Sequence, residues 1–449
     1  MIMGKLREIF ADRRVRFGIV ATVYVLWFVV WGRSWWMLLG LPVIYDIYIS
    51  RYCYRLFWRR HLEKKSSNKL YRSVMGWVEA IVFAVVAATL IRTYFVEMYV
   101  IPSGSMEKTL LVGDCLGVSK VAYGPRMPNT PLSVPFVHNV SPLDPSKKSY
   151  VEWIKRPYKR LAGFDTLERG DVVVFNCPEA DTVAVISPQS NYYQLVRAYG
   201  REAVLRQSPI MVHPVDKKDN YIKRAVAIHG DTLRLVAGTL EVNGRVIPLE
   251  PYAEMFYNIT GEGLTTAYFE SLGVPRGEIG YDNNLGLWQM PLYEEQLEKL
   301  RSSGRADMVS RVVIDHVEPD IFPHDTARYG WSLDNFGPLW VPERGATVKL
   351  TLDNLPLYSR IIKNYEGHDL RVWDGVIYID GKKADSYTFA MNYYFMMGDN
   401  RHQSLDSRFF GFVPEDHVVG RAWFILFSTD KSRPFPGNIR FGRMFRGIK

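Results

Sequence analysis

An apolar run close to the N-terminus constrains this chain more than any other feature of its sequence. Between residues 76 and 95 only Glu79 and Arg92 carry a charge, and most other side chains are apolar or small. The run is as long as the roughly 20 residues that an α-helix needs to cross the hydrocarbon core of a bilayer. We therefore predict a transmembrane helix over residues 76–95, which attaches the rest of the chain to a membrane.

Two shorter apolar runs precede this segment. Residues 17–31 carry no charge, residues 35–49 are broken only by Asp46, and Gly32-Arg33-Ser34 separates the two runs. Each run is short for a spanning helix, but Arg and Trp side chains at the ends can extend to the interface. We predict a tight transmembrane hairpin, and the alternative is a single re-entrant or interfacial element. No small-residue cleavage site follows, which argues against a cleavable signal peptide.

Positive charge is concentrated around the apolar segments. Residues 1–16 carry a net charge of +3 and residues 51–75 carry +7, out of +9 for the chain. The apolar segments contribute almost nothing, so residues 98–449 sum to zero. A nucleic-acid-binding protein would carry the excess on its folded domain, so we expect no nucleic-acid partner. Because basic loops stay in the cytoplasm, we expect residues 51–75 to be a cytoplasmic loop at the lipid surface.

The chain after residue 97 is predicted to form strands and turns. Strands are expected at 114–121, 172–175, 221–228 and 420–428, with irregular excursions at 124–169 and 178–219. Asn243-Gly244 and Asp380-Gly381 each lie between strand-like runs, which predicts two similar hairpins. About 130 residues of mixed character separate these hairpins, including a helical stretch near 294–301. This arrangement predicts a second subdomain inserted into the first.

A short uncharged stretch beyond the apolar run contains two closely spaced hydroxyls. Pro102-Ser103-Gly104-Ser105-Met106 places the serines two residues apart, with Gly104 between them. Such a stretch can present one serine as a nucleophile and a second as a donor to a developing oxyanion. Most sequences of this kind are simply turns. The position beside a membrane span favours the catalytic interpretation.

Lys223 is an unusual residue in an otherwise apolar strand. In a strand it shares a face with Tyr221 and Ala225. An edge lysine in contact with solvent is the ordinary alternative. A buried amine would have a lowered pKa, and a neutral amine beside a serine can accept the hydroxyl proton.

Other kinds of chemistry have little support in the sequence. The nine histidines form no His-Glu-x-x-His motif, and no Gly-rich loop joins a strand to a helix, so we expect neither a metal nor a cofactor. No Gly-x-Ser-x-Gly elbow is present, although a Ser-His-Asp triad stays open. Cys115 and Cys177 either pair outside the cytoplasm or are two buried thiols, and we favour the thiols.

Four segments of the chain carry distinctive motifs. They are residues 102–106 with Thr109, Leu110, Gly113 and Asp114; residues 169–175; residues 221–224 with Gly230 and Asp231; and residues 398–401 with Ser404, Asp406, Ser407, Arg408 and 411–414. In this order they resemble the sequence boxes of bacterial type I signal peptidases, which are membrane-bound leader peptidases of the Ser-Lys class. The resemblance covers about residues 76–123, 168–176, 220–247 and 374–428.

The resemblance implies a role for each matching residue. Ser105 would be the nucleophile and Lys223 its general base, while Ser103 and the Ser105 N–H would form the oxyanion hole. Ser404 would orient the Lys223 amine. The turn would be supported by Gly398, Asp399, Asn400, Asp406 and Arg408. The shallow pockets for small substrate residues would be lined by Ile101, Met106, Leu110, Tyr221 and Ile222.

The resemblance also implies a fold and a location. It predicts a membrane-anchored, mostly β protein, with transmembrane helices followed by a coiled antiparallel sheet and an enlarged inserted cap subdomain. The expected domains are the anchor at 1–97, the catalytic core at 98–247 and 374–449, and the cap at 248–373. The catalytic domain would lie outside the bacterial cytoplasmic membrane, where it would cut exported preproteins after Ala-x-Ala-like sequences.

Several residues depart from the family pattern. His402 and Gln403 stand where Asp and Asn are common, Leu405 replaces a small residue, and Lys108 replaces a proline. Two alternatives stay open beside the peptidase: a catalytically silent membrane-anchored binding or assembly module, and a self-cleaving repressor. Repressors of that type carry a soluble DNA-binding domain, which disfavours the second. The retention of both Ser105 and Lys223 disfavours the first.

Overall fold

Apolar helices form the N-terminal part of the computed structural model, which describes residues 12–31, 35–58, 65, 68–430 and 433–448. These helices are α1 (Arg13–Trp31), α2 (Met37–Ser50) and α3 (Lys69–Tyr94). By length and composition α1 and α3 are able to cross a bilayer, whereas α2 is shorter. At 26 residues, α3 is about 39 Å long, which exceeds the ~30 Å hydrocarbon core.

Both long helices begin earlier than the hydropathy pattern predicts. The Asp12 carboxylate accepts from the Arg14 N–H at the start of α1, and Asn68 accepts from the Tyr71 N–H at the start of α3. These side chains cap the free N–H groups of the first turn. Arg and Lys are good helix formers, so each helix continues through the basic residues next to its apolar part. The helices therefore extend one to two turns before the spans predicted from residues 17 and 76, and the spans themselves stay predictions.

Helices α1 and α2 pack side by side in opposite directions. The Phe17 and Tyr45 rings meet with centroids 5.8 Å apart, and at the other end the Tyr24 hydroxyl donates to the Met37 carbonyl at 2.7 Å. A Cβ on Gly40 would lie 2.1 Å from the Tyr24 hydroxyl, so only glycine permits this approach. Two predicted connecting segments lie wholly or partly outside the described residues. They are residues 32–34, which separate the two short apolar runs, and residues 59–64 and 66–67 of the basic loop.

The strands, in chain order, are β1 Val96–Val100, β2 Asp114–Ser119, β3 Val172–Asn176, β4 Thr182–Ala184, β5 Ile210–Val212, β6 Asn220–Ala227, β7 Thr232–Val236, β8 Thr239–Val242, β9 Arg245–Val246, β10 Met255–Thr260, β11 Gly280–Asp282, β12 Leu287–Leu292, β13 Met308–Arg311, β14 Phe336–Trp340, β15 Thr347–Lys349, β16 Leu370–Trp373, β17 Val376–Ile379, β18 Lys382–Lys383, β19 Ser386–Thr388, β20 Tyr393–Met397, β21 Val413–Pro414 and β22 Val418–Ser428. The remaining α-helices are α4 Tyr192–Tyr199, α5 Arg201–Gln207, α6 Thr266–Ser271, α7 Glu294–Ser302, α8 Leu355–Arg360 and α9 Ser407–Phe410.

A curled, antiparallel seven-stranded sheet carries the candidate site. Its strand order is β1-β2-β22-β3-β6-β20-β21. The register shifts between β2 and β22, between β22 and β3, and between β20 and β6. Such bulges increase local twist and bend a strand, which accounts for the half-barrel curl. Strand β6 lies inside the sheet, between β3 and β20.

Two further four-stranded sheets belong to separate hydrophobic cores. The sheet β11-β12-β10-β13 packs with α6 and α7 around Met255, Ile259, Phe269 and Leu300. The sheet β14-β7-β8-β9 instead shares a core with residues from β17 and β20. The predicted insert at 248–373 thus contributes to both cores, and the domain division stays a prediction.

Most predicted elements beyond residue 97 are present. The hairpin turns have left-handed backbone at Asn243 (φ 53°) and Asp380 (φ 51°), and α7 occupies the predicted helical stretch. The prediction of an irregular 178–219 is wrong, because this segment contains α4, α5 and the β4–β5 ladder. All three cysteines are free, and Cys177 is buried, whereas Cys115 is only half-buried.

Candidate active site

Ser105 lies on a tight turn directly after the first strand. Strand β1 follows α3 with one residue between them, and the Ile101 N–H donates to the Asp114 carbonyl at 2.9 Å. The Gly113 N–H closes the loop by donating to the Ile101 carbonyl at 3.0 Å. Inside this loop, residues Gly104–Met106 form one turn of 3₁₀-helix, in which Ser105 and Met106 are buried. The loop therefore fixes the serine relative to the end of α3.

Lys223 reaches Ser105 from the interior of the sheet. Lys223 is 4% exposed, and its Nζ donates to Ser105 Oγ at 2.6 Å. Strand β6 is paired on both sides, so the alternative of a solvated edge lysine does not hold. The ammonium also lies 5.7 Å from the centre of the Tyr221 ring, on the shared face that alternation predicts.

The surroundings change the protonation of Lys223. Burial lowers the pKa of this amine to about 8, and the nearby Asp406 carboxylate opposes that change. Burial disfavours the charged form because the ammonium loses its hydration. A substantial neutral fraction therefore exists near neutral pH, as proton acceptance requires.

Asp406 and Arg408 brace the turn that follows β20. Arg408 donates twice to the Asp406 carboxylate, at 2.9 and 2.8 Å, and both residues are at most 1% exposed. Burial alone would raise the pKa of Asp406, but the Arg408 guanidinium holds it below its usual value. The same carboxylate accepts from the Gly398 N–H at 3.1 Å. The predicted ion pair is thus present and holds the turn in place.

Gly398 stands where the turn after β20 approaches the Ser105 loop closely. A Cβ at this position would lie 2.2 Å from Ser404 Oγ and 2.5 Å from the Ser105 carbonyl oxygen. Two residues later, the Asn400 N–H donates to the same Ser105 carbonyl oxygen at 3.1 Å. The turn therefore supports the backbone of Ser105 directly, which requires glycine at 398.

A second buried ion pair is not expected from the sequence. Arg224 donates to both carboxylate oxygens of Asp399, at 2.9 and 2.8 Å, and Thr109 donates to Asp399 at 2.7 Å. The pair connects β6, the 398–401 turn and the loop of Ser105. The sequence predicts that Asp399 supports the turn but does not identify Arg224 as its partner. No local sequence pattern links the two residues. The only available signal is that Arg224 follows Lys223 in an apolar strand.

The two auxiliary serines differ in their surroundings. Ser103 is exposed and makes no capping hydrogen bond to the turn that it precedes. Ser404 is 7% exposed, and its hydroxyl has no hydrogen-bond partner among the residues that the structure describes. The expected hydrogen bond to the Lys223 amine is therefore not formed in this conformation, and the role of Ser404 stays a prediction.

The residues predicted to line substrate pockets separate into two groups. Ile101, Met106 and Leu110 share one hydrophobic cluster, and Ile222 packs against it. Met106 and Leu110 are completely buried, so they lie behind the surface rather than on it. Tyr221 lies on the other face of β6 from Ile222, the face that it shares with Lys223, and there it meets Phe410.

The unit built on β10 docks next to the Ser105 loop through Glu254. The Glu254 N–H donates to the Asp399 carbonyl at 2.9 Å, and the Arg401 N–H donates to the Glu254 carbonyl at 3.0 Å. The Glu254 carboxylate is fully buried, without a hydrogen-bond partner in the described part of the chain, and Lys108 Nζ lies 3.7 Å from it. Sequence reasoning missed this residue, since nothing local distinguishes it from a surface glutamate.

His402 takes part in the same docking contact. Its Nδ1 accepts from the Phe256 N–H at 3.1 Å, so Nε2 carries the proton and donates to Asp334 at 2.9 Å. Both ring nitrogens are therefore engaged. This arrangement leaves His402 poorly suited to serve as an alternative base for Ser105.

Known sequences of one family resemble this chain over most of its length. The family described as signal peptidase, peptidase S26, matches residues 74–279 and 347–427. Signal peptidase I of Haemophilus influenzae is 25% identical over 390 residues, which cover 86% of this chain and 78% of that protein. Signal peptidase I of Helicobacter pylori is 23% identical over 391 residues, covering 85% and 95%. That of Aquifex aeolicus is 24% identical over 344 residues, covering 77% and 80%.

Proposed function

This chain belongs to the signal peptidase family, peptidase S26, and we propose that it removes signal peptides from exported preproteins with Ser105 and Lys223 as its catalytic pair. It is a serine peptidase and hydrolyses peptide bonds. The observation that carries the assignment of residues is the 2.6 Å hydrogen bond between Lys223 Nζ and Ser105 Oγ. No histidine is bonded to Ser105 Oγ among the described residues.

In the proposed reaction, Ser105 Oγ attacks the carbonyl carbon at the end of the signal peptide while Lys223 accepts the hydroxyl proton. The new C–O bond gives a tetrahedral oxyanion. Lys223 then donates its proton to the leaving amine of the mature protein, and the C–N bond breaks to leave an ester on Ser105. Water attacks the ester, again with Lys223 as the proton acceptor. The bond between the acyl carbon and Ser105 Oγ then breaks, Lys223 returns the proton to Oγ, and the signal peptide is released with a free carboxylate.

The oxyanion would be stabilised by the Ser105 N–H and the Ser103 hydroxyl. The exposure of Ser103 and its lack of a capping bond support this role, because the hydroxyl is free to rotate towards substrate. Ser404 would orient the Lys223 amine once Lys223 has lost its proton. Its unpartnered hydroxyl, packed against Gly398, supports this assignment.

We also propose specificity for small residues before the cleaved bond, in Ala-x-Ala-like sequences. Ile101 and Ile222 supply apolar walls next to the nucleophile, and half-buried Leu405 follows Ser404 in the turn. One excess methylene in such a pocket costs about 1–3 kcal/mol, so preproteins with large residues there should be cut roughly 10- to 200-fold more slowly. Equal rates of cleavage would contradict the pocket assignment.

The geometry of the helices supports a multi-pass anchor with the β domain on the outer side of the cytoplasmic membrane. At the end of α1, Trp31 Nε1 donates to the Ala162 carbonyl of the β domain at 3.0 Å. Nearby, Trp27 stacks on Phe95, which directly follows α3. The two helices therefore end on the same side, and α2 runs back between them, as three crossings require. We propose this arrangement, with 1–97 as anchor and the inserted region as cap.

The decisive experiment is cleavage of a preprotein by the purified full-length chain in detergent. Ser105→Ala and Lys223→Ala should both abolish turnover, and Lys223→Arg should fail too, because guanidinium stays protonated. Lys223→Met keeps the length of the side chain without its buried charge, so it should fold at least as stably as the natural chain while also being inactive. Lys147→Arg, on an exposed lysine, is the matched control and should leave turnover unchanged.

Near-normal cleavage by Lys223→Arg would refute the Ser-Lys mechanism. Failure of the natural chain to cleave any preprotein, with binding retained, would instead indicate a silent binding module.

A further inference from the structure

A polar cavity of about 210 Å³ lies where α3 meets the main sheet. Its walls come from the last turns of α3, from β1, from Lys120 directly after β2, and from the loop over residues 126–138. At about 30 Å³ per water, the space would hold roughly seven waters. It is therefore large enough for a small charged group. Ser105 and Lys223 do not line it, so it is distinct from the candidate active site.

Positive charge exceeds negative charge in this cavity. Arg92, Lys120, Arg126 and Lys217 line it, together with the carboxylates of Glu97 and Asp216 and the imidazole of His138. Glu97 is shared, since it accepts from Arg92 at 2.5 Å and from Lys120 at 2.7 Å. One carboxylate is thus shared between two cations, which leaves one positive charge in excess.

Neither of the remaining two cations forms a direct ion pair, although the Asp216 carboxylate, which also lines the cavity, acts on both from a longer distance. Arg126 donates to the Asp416 backbone carbonyl and, at 2.7 Å, to Asn176 Oδ1, neither of which carries charge. Lys217 is 7% exposed, with its ammonium 5.5 Å from the Tyr150 ring. Within the described ranges, no carboxylate lies within 4.0 Å of either cation. Asp216 directs one oxygen to Thr130, at 2.9 Å from both its N–H and its hydroxyl.

Four cations beside two carboxylates leave an excess of positive charge, which is costly to desolvate unless an anion approaches it. Burial lowers the pKa of Lys217, and the nearby Asp216 carboxylate opposes that change only in part. A phosphate oxygen in the cavity would accept from Lys217 and Arg126 in charge-assisted hydrogen bonds. The cavity therefore has the charge and the size for a phosphate group.

The rim of the cavity is apolar and faces outwards. Leu132 is 46% exposed, Val134 is 53% exposed and Phe136 is 56% exposed, and the last two line the cavity. Thr89 and Arg92, on the last turns of α3, form the opposite wall. If α3 crosses the bilayer, this wall lies at the depth of the lipid phosphates, where Arg side chains are favoured. A cationic cavity with an apolar rim at that depth matches one molecule with both properties.

We propose that this cavity binds the headgroup phosphate of an anionic phospholipid, with the acyl chains lying along α3 and the Leu132–Phe136 rim. The site rests on α3 crossing the membrane and is independent of the Ser105–Lys223 mechanism. Because β1 connects the cavity wall to the Ser105 loop, a bound lipid would hold the sheet at a fixed height above the bilayer.

The test uses the full-length chain in nanodiscs of phosphatidylcholine with or without phosphatidylglycerol. The natural chain should unfold at a higher temperature with phosphatidylglycerol and should retain that lipid in native mass spectrometry. Lys217→Met removes one of the four positive charges that line the cavity and nearly preserves the length of the side chain. It should weaken retention of phosphatidylglycerol roughly five- to tenfold. Lys147→Met removes a charge from an exposed lysine outside the cavity and should leave retention unchanged.

A separate arm distinguishes a lipid from soluble phosphate. Inorganic phosphate and glycerol phosphate, added in uncharged detergent at millimolar concentration, should not reproduce the stabilisation, because they cannot use the apolar rim. Equal stabilisation by these soluble probes would overturn the lipid assignment. Equal retention of phosphatidylglycerol by the natural chain and Lys217→Met would overturn the site. Neither result would bear on cleavage by Ser105.

Discussion

At the residue scale, the candidate site depends on an amine that the fold keeps away from water. A lysine with its ordinary pKa would be only about 0.04% neutral at pH 7. With a pKa of about 8, roughly a tenth of Lys223 is neutral at that pH. Burial in the sheet thus increases the neutral fraction by more than a hundredfold, which is the main chemical contribution of β6.

The pH dependence of cleavage should report this amine. The active form is the neutral one, so the rate should rise with pH through about 8 and level off above it. The measurement is initial rate of preprotein cleavage between pH 6 and 10 at saturating substrate. A rate that kept rising to pH 10 or beyond would mean that Lys223 is not appreciably buried in the working enzyme.

Gly398→Ala should cost activity without destroying the fold. The added methyl group would meet Ser404 Oγ and the Ser105 carbonyl, and the nucleophile would be displaced. A displacement of about 1 Å can reduce a rate roughly 100-fold, so we expect a loss of that order. Gly330→Ala, where a Cβ meets nothing within 4 Å, is the matched control. Cleavage at the normal rate by Gly398→Ala would contradict the close approach.

The sequence was sufficient for some site residues and not for others. The hydroxyl pair, the lysine in an apolar strand and the Asp406–Arg408 turn carry local patterns. Arg224 and Asp399 are 175 residues apart, and Glu254 reaches the site only through the docking of β10. Such contacts are set by the tertiary fold. His402 illustrates the same limit, because its partners Phe256 and Asp334 are distant in sequence.

At the element scale, alternation and turn chemistry predicted the strands around the site. Strand β3 is buried at every position and both hairpin turns have the Asx-Gly sequence that their backbone requires. The curl of the sheet was not predictable from composition, because bulges depend on how two distant strands align. Helices α4 and α5 were missed, since Gly200 interrupts the helical period that would have identified them.

The docking of β10 should make stability depend on pH through Glu254. Burial raises the pKa of this carboxyl to about 7, so between about 4.5 and 7 the folded state binds more protons than the unfolded state. Stability is therefore lost as pH rises through that range, by about 3 kcal/mol in all. Glu254→Gln should remove this loss, raising the unfolding temperature at pH 8 but not at pH 4.5.

Thermal unfolding of both proteins in the same detergent across pH 4.5–8 is the appropriate measurement. Glu295→Gln, on an exposed glutamate of α7, provides the control and should leave the pH dependence unchanged. Parallel curves for the natural chain and Glu254→Gln would show that the buried carboxyl does not carry the effect.

At the scale of the whole molecule, the charge pattern and the helix geometry predict the same orientation. Residues 51–75 carry +7 and should stay in the cytoplasm, whereas the β domain sums to zero and can be exported. A reporter that is active only outside the cytoplasm, fused after Lys449, should therefore be active. The same reporter fused within residues 59–64 should be inactive. An inactive reporter after Lys449 would show that the β domain lies in the cytoplasm. The proposed topology would then be wrong, and the site could not reach exported substrates.

Helices α1 and α3 both end at the β domain, so the stretch between them leaves that side and comes back. A segment that crosses the membrane twice returns to the side on which it began. Only an odd number of crossings places the following domain on the other side. If α1 and α2 both cross the membrane, as we propose, the pair does not change the side on which the β domain lies. A chain shortened to begin just before the basic loop at 51–75 would therefore still place Ser105 in the same compartment, because one crossing and three crossings end on the same side.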